Sequence, residues 1–169
     1  MLKLIKPTKE YGESWLEALK EFREAETEGF WNILGEPDDV DEYINKTSGF
    51  EKGVNMPEES WVPNTTFWLV DGDQFIGHVN IRHKLTEKLE KVGGHIGYAI
   101  RPSRQGQGYG NKILEMVIPK SKNLGLDKLL LVCNKDNIAS NKIIKNNGGE
   151  FRDEIEVDGE KVFRYWINI

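Results

Sequence analysis

Three glycines at alternate positions, Gly106, Gly108 and Gly110, follow an apolar segment of the chain and precede an amphipathic one. Glycine has no Cβ atom, so a ligand can come close to the backbone of such a segment. A helix that begins there adds free N–H groups and the positive end of its dipole. This arrangement favours the binding of phosphate groups by backbone N–H groups. The segment 98–112 is therefore the predicted centre of the site.

The single cysteine offers less chemistry. Cys133 follows the apolar run 129–132, and such neighbours raise the pKa of a thiol. A core thiol is therefore predicted rather than a nucleophile. One cysteine also excludes an internal disulfide and a thiol cluster, and no metal site is predicted.

The glycine segment needs a strand before it and a helix after it, and the apolar pattern predicts both. A strand over 95–101 leads in. A helix over 111–124 leads out, ended by Gly125 and kinked or broken early at Pro119. A continuous apolar run then predicts a strand over 128–133 that is covered on both faces.

The other elements are predicted from alternation, helical spacing and capping residues. They are a first strand from Leu2 to Pro7, a helix capped by Thr8, a second helix capped by Asp38 or Asp39, a long connection over 48–63, a hairpin over 66–70 and 75–82, a short helix over 85–92, a helix from Asn137 to Gly148, and a hairpin over 151–157 and 161–169. The βαβ passage around the glycine segment implies parallel strands at the centre of a largely antiparallel sheet.

Length and charge limit the classes of function. The 169 residues fit one domain, 1–169. The net charge of −5, from 23 basic and 28 acidic residues, gives no basic surface for nucleic acid or an anionic membrane. No segment has the length of a membrane span or the pattern of a secretion signal, so the expected location is the cytoplasm.

Several folds bind phosphates on glycine-rich turns, and spacing chooses among them. A P-loop needs Gly-Lys-Ser or Gly-Lys-Thr, which the segment Asn111-Lys112-Ile113 lacks. A dinucleotide fingerprint places its glycines at positions 1, 3 and 6, whereas these glycines alternate. A purely structural use of the glycines is the other alternative.

The pattern that remains resembles the GNAT superfamily of acetyl-CoA-dependent N-acyltransferases. The pyrophosphate signature of that family is Gln or Arg, two residues, Gly, one residue, then Gly or Ala. Gln105, Gly108 and Gly110 match it position for position. The family's second signature, Asn, two residues, then Ala or Ser, is matched by the segment 137–140. The predicted order of elements also agrees along nearly the whole chain.

The resemblance implies an α/β (α+β) fold, with a mixed, centrally splayed sheet of six to seven strands flanked by about four helices. It implies acetyl-CoA as co-substrate, with the pantetheine arm lying where the strand ending at Ala99 and Ile100 parts from the strand ending near Cys133. Backbone groups of Ile100 and Arg101 would bind the pantetheine amides. The Ile100 N–H would face the thioester oxygen, and Asn137 would contact the arm from the other side. The pyrophosphate would lie on the backbone N–H groups of Gln105, Gly106, Gln107, Gly108, Tyr109, Gly110 and Asn111.

In this family the amine typically attacks the thioester directly, so it must first lose a proton to a base or a water chain. His95, at the start of the strand that carries the loop, is the first candidate for this base. The alternative is that His95 only makes structural hydrogen bonds at a strand edge. His83 is a weaker candidate for the base. Many members protonate the leaving thiolate with a tyrosine at the position of Ile144, which cannot do so, and Ser140 offers a substitute.

The resemblance predicts a primary amine as acceptor, either a small molecule or the amino terminus or a lysine of a protein. A catalytically silent acyl-CoA sensor is the alternative from another class. Acidic and aromatic residues of the helices and connections would suit a cationic amine: they are Glu24, Glu26, Glu28, Trp31, Asp38, Asp39 and Trp61. No nucleic-acid or membrane partner is expected, and pairing of edge strands would allow a homodimer.

Overall fold

The computed structural model describes residues 1–25 and 39–169 of the chain. These residues form seven strands: β1 (Leu2–Ile5), β2 (Asn64–Asp71), β3 (Gln74–Arg82), β4 (Ile96–Ile100), β5 (Lys128–Asn134), β6 (Glu150–Val157) and β7 (Glu160–Asn168). They also form five α-helices: α1 (Gly12–Glu24), α2 (Val40–Glu51), α3 (Glu87–Lys91), α4 (Tyr109–Asn123) and α5 (Ile138–Asn146).

The strands are hydrogen-bonded in two groups, β1-β2-β3-β4 and β5-β7-β6, and all neighbours within a group are antiparallel. Both predicted hairpins are present, as β2–β3 and β6–β7. The expected parallel pairing of β4 with β5 is limited to hydrogen bonds between Leu130 and His95, the residue before β4. The splayed mixed α/β fold is therefore confirmed, with the gap between β4 and β5 as its centre.

Successive side chains of β2 and β3 point to opposite faces of the sheet, and this divides the core into two layers. Phe67 and Leu69 face helices α4 and α5, whereas Trp68 and Val70 face α1 and α2. On the second face the rings of Trp15 and Trp68 stack with centroids 5.7 Å apart. Burial of large apolar side chains contributes roughly 1.5–3 kcal/mol each, so these layers hold the strands of the gap in place.

Capping residues explain where the helices begin. The Asp39 side chain accepts a hydrogen bond from the Asp41 N–H at 2.7 Å, which confirms it as the cap of α2. Thr8 was expected to cap the first helix but makes no side-chain cap hydrogen bond, because a short 3₁₀ turn over Lys9–Tyr11 precedes α1. Asp38, the other candidate cap, lies outside the described residues.

One predicted boundary was wrong, and the predicted end of the helix that contains Pro119 was confirmed. Helix α2 continues to Glu51, so the first residues of the expected 48–63 connection are helical. Helix α4 continues past Pro119 to Asn123. Pro119 lies on the exposed face, where water can satisfy the carbonyl that loses its N–H partner, and the buried face continues to Ser121. Gly125 follows the helix end with φ +82°, as the sequence predicts.

Among the described helices, none combines the length and the apolar character that crossing a membrane requires.

Candidate active site

The gap between β4 and β5 is lined by backbone groups of alternate residues. The Arg101 N–H donates to the Ile76 carbonyl of β3 at 2.8 Å, and the Arg82 N–H donates to the His95 carbonyl at 2.8 Å. In an antiparallel pair, residues between such positions direct their N–H groups to the opposite side. The N–H groups of Tyr98 and Ile100 therefore face the gap toward β5. Ile100 has the orientation that the sequence predicts for a donor to a thioester oxygen, and Tyr98 is a second donor that sequence reasoning missed.

His95 joins the two strands at the closed end of the gap. Its N–H donates to the Leu130 carbonyl at 2.7 Å, and its ring Nδ1 accepts from the Leu130 N–H at 2.8 Å. Gly94 precedes it with φ +60°, and a Cβ atom there would collide with the Leu130 carbonyl oxygen. The close approach of β4 and β5 thus depends on a glycine and on an imidazole that acts as a backbone-like acceptor.

The environment of His95 keeps its ring neutral. Burial, with smaller contributions from the positive charges of Arg82 and Lys128, lowers the pKa of His95 to about 4. Because Nδ1 accepts the Leu130 N–H, the ring proton lies on Nε2. The lone pair that a general base needs is therefore occupied, which argues against the catalytic role expected for His95.

The glycine loop follows the open end of the gap. A 3₁₀ turn over Pro102–Arg104 ends β4, and Gly106 and Gly108 then adopt φ +73° and +86°. Only glycine takes these angles without strain. Within the described part of the chain, no acceptor bonds the backbone N–H groups of the five residues Gly106, Gln107, Gly108, Tyr109 and Gly110. A run of free donors at the start of α4 fits a pyrophosphate group.

Gly110 serves a different purpose from the other two glycines. A Cβ atom at Gly110 would lie 2.5 Å from Cδ1 of Ile143, whereas one at Gly106 or Gly108 would meet nothing within 4 Å. Gly110 therefore allows α4 to pack against α5. Its free N–H still belongs to the row of donors.

Side chains brace the loop from within. Gln105 Nε2 donates to the Ile100 carbonyl, and Gln107 Nε2 donates to the Ser103 carbonyl, both at 3.1 Å. The Asn111 side chain accepts from Asn146 of α5 at 3.1 Å. The polar residues that the sequence assigns to the loop thus hold its shape and leave its backbone N–H groups to a ligand.

Arg101 ties the loop to α1. Its buried guanidinium bonds Glu21 at 2.7 Å and Ser14 at 3.2 Å, and the Ser103 N–H also donates to Glu21 at 3.0 Å. Burial opposes ionisation of Glu21, but the hydrogen bonds from Ser103 and Arg101 outweigh it and lower the pKa of that carboxyl. The backbone of Arg101 is also engaged, because its N–H bonds Ile76 and its carbonyl accepts from the Arg104 N–H. The Arg101 N–H is therefore not free for a pantetheine amide, and the expected backbone contact stays a prediction for its carbonyl.

The other wall of the gap is organised by Asn137 and Asn141. The Asn137 side chain caps α5 by accepting from the Ser140 N–H at 3.0 Å, as predicted. The buried Asn141, which sequence reasoning missed, donates to the Asn134 and Asn137 carbonyls. Its Oδ1 accepts from the Tyr165 hydroxyl at 2.6 Å. In the sequence, the only signal for this role is that an asparagine follows the helix cap by one turn.

Three protonated groups lie between the walls. Burial raises the pKa of Tyr98 to about 12, although the neighbouring Ser140 opposes that shift. Burial likewise raises the pKa of Cys133 to about 11, and its thiol donates to Asn141 at 3.3 Å. Ile144, at the family's tyrosine position, is buried in the core. Tyr98, Ser140 and Cys133 therefore all carry protons at neutral pH.

A pocket of about 250 Å³ lies on the α1–α2 face of the sheet. Polar side chains of β2 and β3 form its floor, and apolar side chains and a rim of charged groups surround them: Asn64, Thr66, Asn80, Arg82, Phe50, Trp61, Val62, Leu89, Glu58 and Lys88. Of the described members of the expected acceptor set, Glu24, Asp39 and Trp61, only Trp61 lines this pocket, and Asp39 caps α2. Four others, Glu26, Glu28, Trp31 and Asp38, lie outside the described residues.

A model of the acetyltransferase (GNAT) domain matches residues 17–150, which include both walls of the gap and the glycine loop. The chain belongs to the GNAT acetyltransferase family. It is therefore an acetyl-CoA-dependent N-acetyltransferase, and the free N–H groups of Gly106 to Gly110 fit the phosphates of that co-substrate. Among the described residues, no group of three or more His, Cys, Asp or Glu side chains could hold a metal ion.

Solved structures of other GNAT acetyltransferases share the fold at low sequence identity. RimL, a ribosomal L7/L12 α-N-protein acetyltransferase with bound CoA, has a TM-score of 0.71 at 14% identity over 99% of this chain and 94% of that one. The microcin C7 self-immunity acetyltransferase MccE, with acetyl-CoA and AMP, has a TM-score of 0.72 at 15% identity over 99% and 92%. Mutant forms of the spermidine/spermine N-acetyltransferase SpeG from Vibrio cholerae have a TM-score of 0.62 at 15% identity, over 99% of this chain and 95% of that one. No curated protein matches this GNAT acetyltransferase in sequence.

Proposed function

We propose that this GNAT acetyltransferase acetylates a primary amine by direct attack of the amine on the thioester, without a covalent enzyme intermediate. Bound acetyl-CoA supplies the activated acetyl group. The observation that carries the proposal is the row of backbone donors that begins with Tyr98 and Ile100 in the gap and continues at Gly106 to Gly110. The donors of Tyr98 and Ile100 would bind the thioester, and those of Gly106 to Gly110 would bind the pyrophosphate.

The role of Ile100 is to stabilise developing charge. Negative charge gathers on the thioester oxygen as the amine attacks, and a fixed N–H donor there lowers the barrier. The Ile100 N–H is free because β5 does not pair with β4 at that level. Tyr98, two residues earlier on the same edge, presents an equivalent donor. Gln105 fixes the Ile100 peptide from the other side by binding its carbonyl.

The acceptor is a small-molecule amine or an amine of a peptide. The structural relatives that act on a ribosomal-protein amino terminus and on spermidine support an amine in general. Each acceptor must lose a proton before attack. Because the His95 ring is occupied by Leu130, we propose that the proton leaves through water and that His95 holds the gap closed at its base.

A pair of His95 variants separates the two roles. Asparagine places its Oδ1 near the former position of Nδ1 and can still accept the Leu130 N–H, but it cannot act as a base. We expect His95→Asn to keep kcat within about threefold of the original protein, and His95→Ala to lower stability by about 1–3 kcal/mol because a buried N–H loses its acceptor. Steady-state rates and thermal unfolding of both variants are the measurements.

The pH dependence gives an independent check on His95. With a pKa of about 4, the ring is neutral throughout the range above pH 5. The kcat/KM of the original protein then rises toward the pKa of the amine, which is near 8 for a peptide amino terminus and about 10 for an alkylamine. A hundredfold loss of kcat in His95→Asn, or an inflection near pH 6.5 that this variant lacks, would restore His95 as the base.

The hydroxyls of Tyr98 and Ser140 stabilise the leaving thiolate by donating hydrogen bonds to it, and the thiolate then takes its proton from water. Both groups are protonated at neutral pH, and Tyr98 extends from β4 toward α5 beside Ser140. A thiol pKa near 8.5 makes release of thiolate at pH 7 cost only about 2 kcal/mol. We therefore expect Tyr98→Phe combined with Ser140→Ala to lower kcat by at most roughly thirtyfold at pH 7, and by less at pH 9. A loss that is equal at both pH values would contradict this role.

Acetylation itself is tested by incubation with acetyl-CoA and a panel of small amines and peptides, with release of free CoA as the readout. We expect CoA release that depends on the acceptor, together with acetylated amine in equal amount. Tight acetyl-CoA binding without turnover on any acceptor would favour the silent sensor, and no binding would exclude both functions.

A further inference from the structure

Arg82 stands out in the pocket on the α1–α2 face because it is a cation that has no carboxylate partner among residues 1–25 and 39–169. Its Nη1 donates to the carbonyls of Gly93 and Gly94, both at 3.1 Å. Among the described residues, no Asp or Glu side chain forms an ion pair with it. By contrast, Arg101 pairs with Glu21 and Arg164 pairs with Asp153. A partly desolvated guanidinium ordinarily has an anionic partner.

The surroundings of Arg82 give this pocket a positive charge. Its charged lining residues are Arg82, Lys88 and Glu58, and Glu58 already accepts a hydrogen bond from Ser60 at 3.0 Å. The lining formed by the described residues is thus net positive in a protein whose formal charge is −5. Burial lowers the pKa of Arg82, which shows that water alone solvates this charge poorly.

The other polar groups of the pocket floor have partners. Asn80 Nδ2 donates to Asn64 at 2.6 Å and to Thr66 at 3.1 Å. Asn64 in turn donates to the Val62 carbonyl at 3.1 Å. The guanidinium is therefore the group of the floor that has most to gain from a ligand, because a planar donor fork matches a carboxylate or a phosphate.

The pocket adjoins the strand that carries the proposed thioester contacts. Asn80 lies opposite Gly97 of β4. Because Gly97 has no side chain, no side chain at that position lies between the pocket and the β4 backbone. Arg82 lies opposite His95, three residues before Tyr98. Three residues of a strand span about 10 Å. An acceptor seated in the pocket can therefore contact Arg82 at one end and present its amine near Tyr98 at the other.

We propose that the acceptor carries an anionic group, a carboxylate or a phosphate, roughly 10 Å from its reactive amine, and that Arg82 binds this group. The inference rests on the proposed acetylation of an amine. It replaces the cationic acceptor that the acidic residues of the sequence suggest, since the described floor of the pocket holds a cation.

Four dipeptides with the same amino-terminal glycine and an amidated C-terminus provide the test, because amidation removes the terminal carboxylate and leaves only the charge of the second side chain to differ. They are Gly-Glu, Gly-phosphoserine, Gly-Gln and Gly-Lys, and the measurement is kcat/KM at saturating acetyl-CoA. We expect the preferred anionic dipeptide to exceed Gly-Gln by about tenfold or more, as for a hydrogen bond to a charged group, and Gly-Lys to be the poorest. Whether Gly-Glu or Gly-phosphoserine ranks first identifies the anion as carboxylate or phosphate.

Variants link the preference to Arg82. In Arg82→Gln the ratio of anionic to neutral dipeptide falls to about one, and in Arg82→Lys part of it remains. The control Arg152→Gln removes an arginine outside the pocket and keeps the original ratio. A purely structural role for Arg82 lowers the rates of all four dipeptides together. Equal rates in the original protein, a preference for Gly-Lys, or an unchanged ratio in Arg82→Gln would overturn the inference.

Binding without turnover keeps the inference separate from the proposed function. Glutarate and glutaramide have the same chain length and differ in charge, and calorimetric titration of the CoA-loaded protein compares them. We expect glutarate to bind more tightly than glutaramide in the original protein and no such difference in Arg82→Gln. If amines are acetylated but glutarate has no advantage, the inference fails alone; if no amine is acetylated, the proposed function fails while glutarate binding still decides the role of Arg82.

Discussion

Replacing Gly108 by aspartate abolishes acetyl-CoA binding and leaves the protein folded. The residue has φ +86° at the start of α4, and a Cβ atom there would meet no protein atom within 4 Å. The carboxylate therefore projects into the space that the loop offers to a pyrophosphate. Repulsion between like charges about 4 Å apart near a protein surface is roughly 4 kcal/mol. Isothermal titration is expected to show a loss of affinity of at least about a hundredfold.

The matched control is Gly125→Asp, at the other end of the same helix. Gly125 has φ +82° and likewise nothing within 4 Å of a built Cβ atom. The two variants share the same backbone strain and the same added charge, but Gly125 is remote from the loop. Gly125→Asp is expected to bind acetyl-CoA as the original protein does. If both variants bind normally, the loop does not hold the pyrophosphate.

Replacing Gly94 by alanine has the largest expected effect on the gap itself. The added Cβ collides with the Leu130 carbonyl, to which the His95 N–H also donates. Strain from a left-handed alanine costs about 1–2 kcal/mol, and forced repacking of a close contact adds about 1–3 kcal/mol. We expect a loss of roughly 2–5 kcal/mol in the free energy of unfolding, with weaker acetyl-CoA binding because β4 moves away from β5.

Gly72→Ala separates the collision from the strain. Gly72 lies in the β2–β3 turn with φ +59°, close to the +60° of Gly94, and nothing is within 4 Å of its built Cβ. Its loss of stability should therefore be limited to the strain of about 1–2 kcal/mol. Urea unfolding of both variants gives the difference. Equal losses would mean that β4 and β5 tolerate displacement at Leu130.

Local signals in the sequence predicted much of the fold. The turn around Gly72, the caps Asp39 and Asn137, and the glycine loop before α4 depend on short-range backbone chemistry, which a sequence displays directly. The error at Thr8 and the absence of an early helix break at Pro119 have the opposite origin. A 3₁₀ turn displaced the cap, and a buried face on α4 outweighed the hydrogen bond that proline removes.

The parts of the site that were missed depend on contacts between distant segments. Arg101 was expected to act through its backbone, but Glu21 and Ser14 of α1 engage its side chain eighty or more residues away. His95 was expected to act as a base, but Leu130 occupies its lone pair from a separate strand. Nothing near either residue in the sequence reveals its partner. The uncompensated charge of Arg82 likewise becomes visible only when its neighbours in space are known.

The measurement that tests the central claim most directly is a comparison of backbone amide NMR shifts with and without acetyl-CoA. Binding across the gap and the loop predicts the largest changes at the amides of Tyr98 and Ile100 and at those of Gly106 to Gly110, with His95 and Gly125 nearly unchanged. Saturable binding that leaves the Tyr98, Ile100 and loop amides unperturbed would contradict the account.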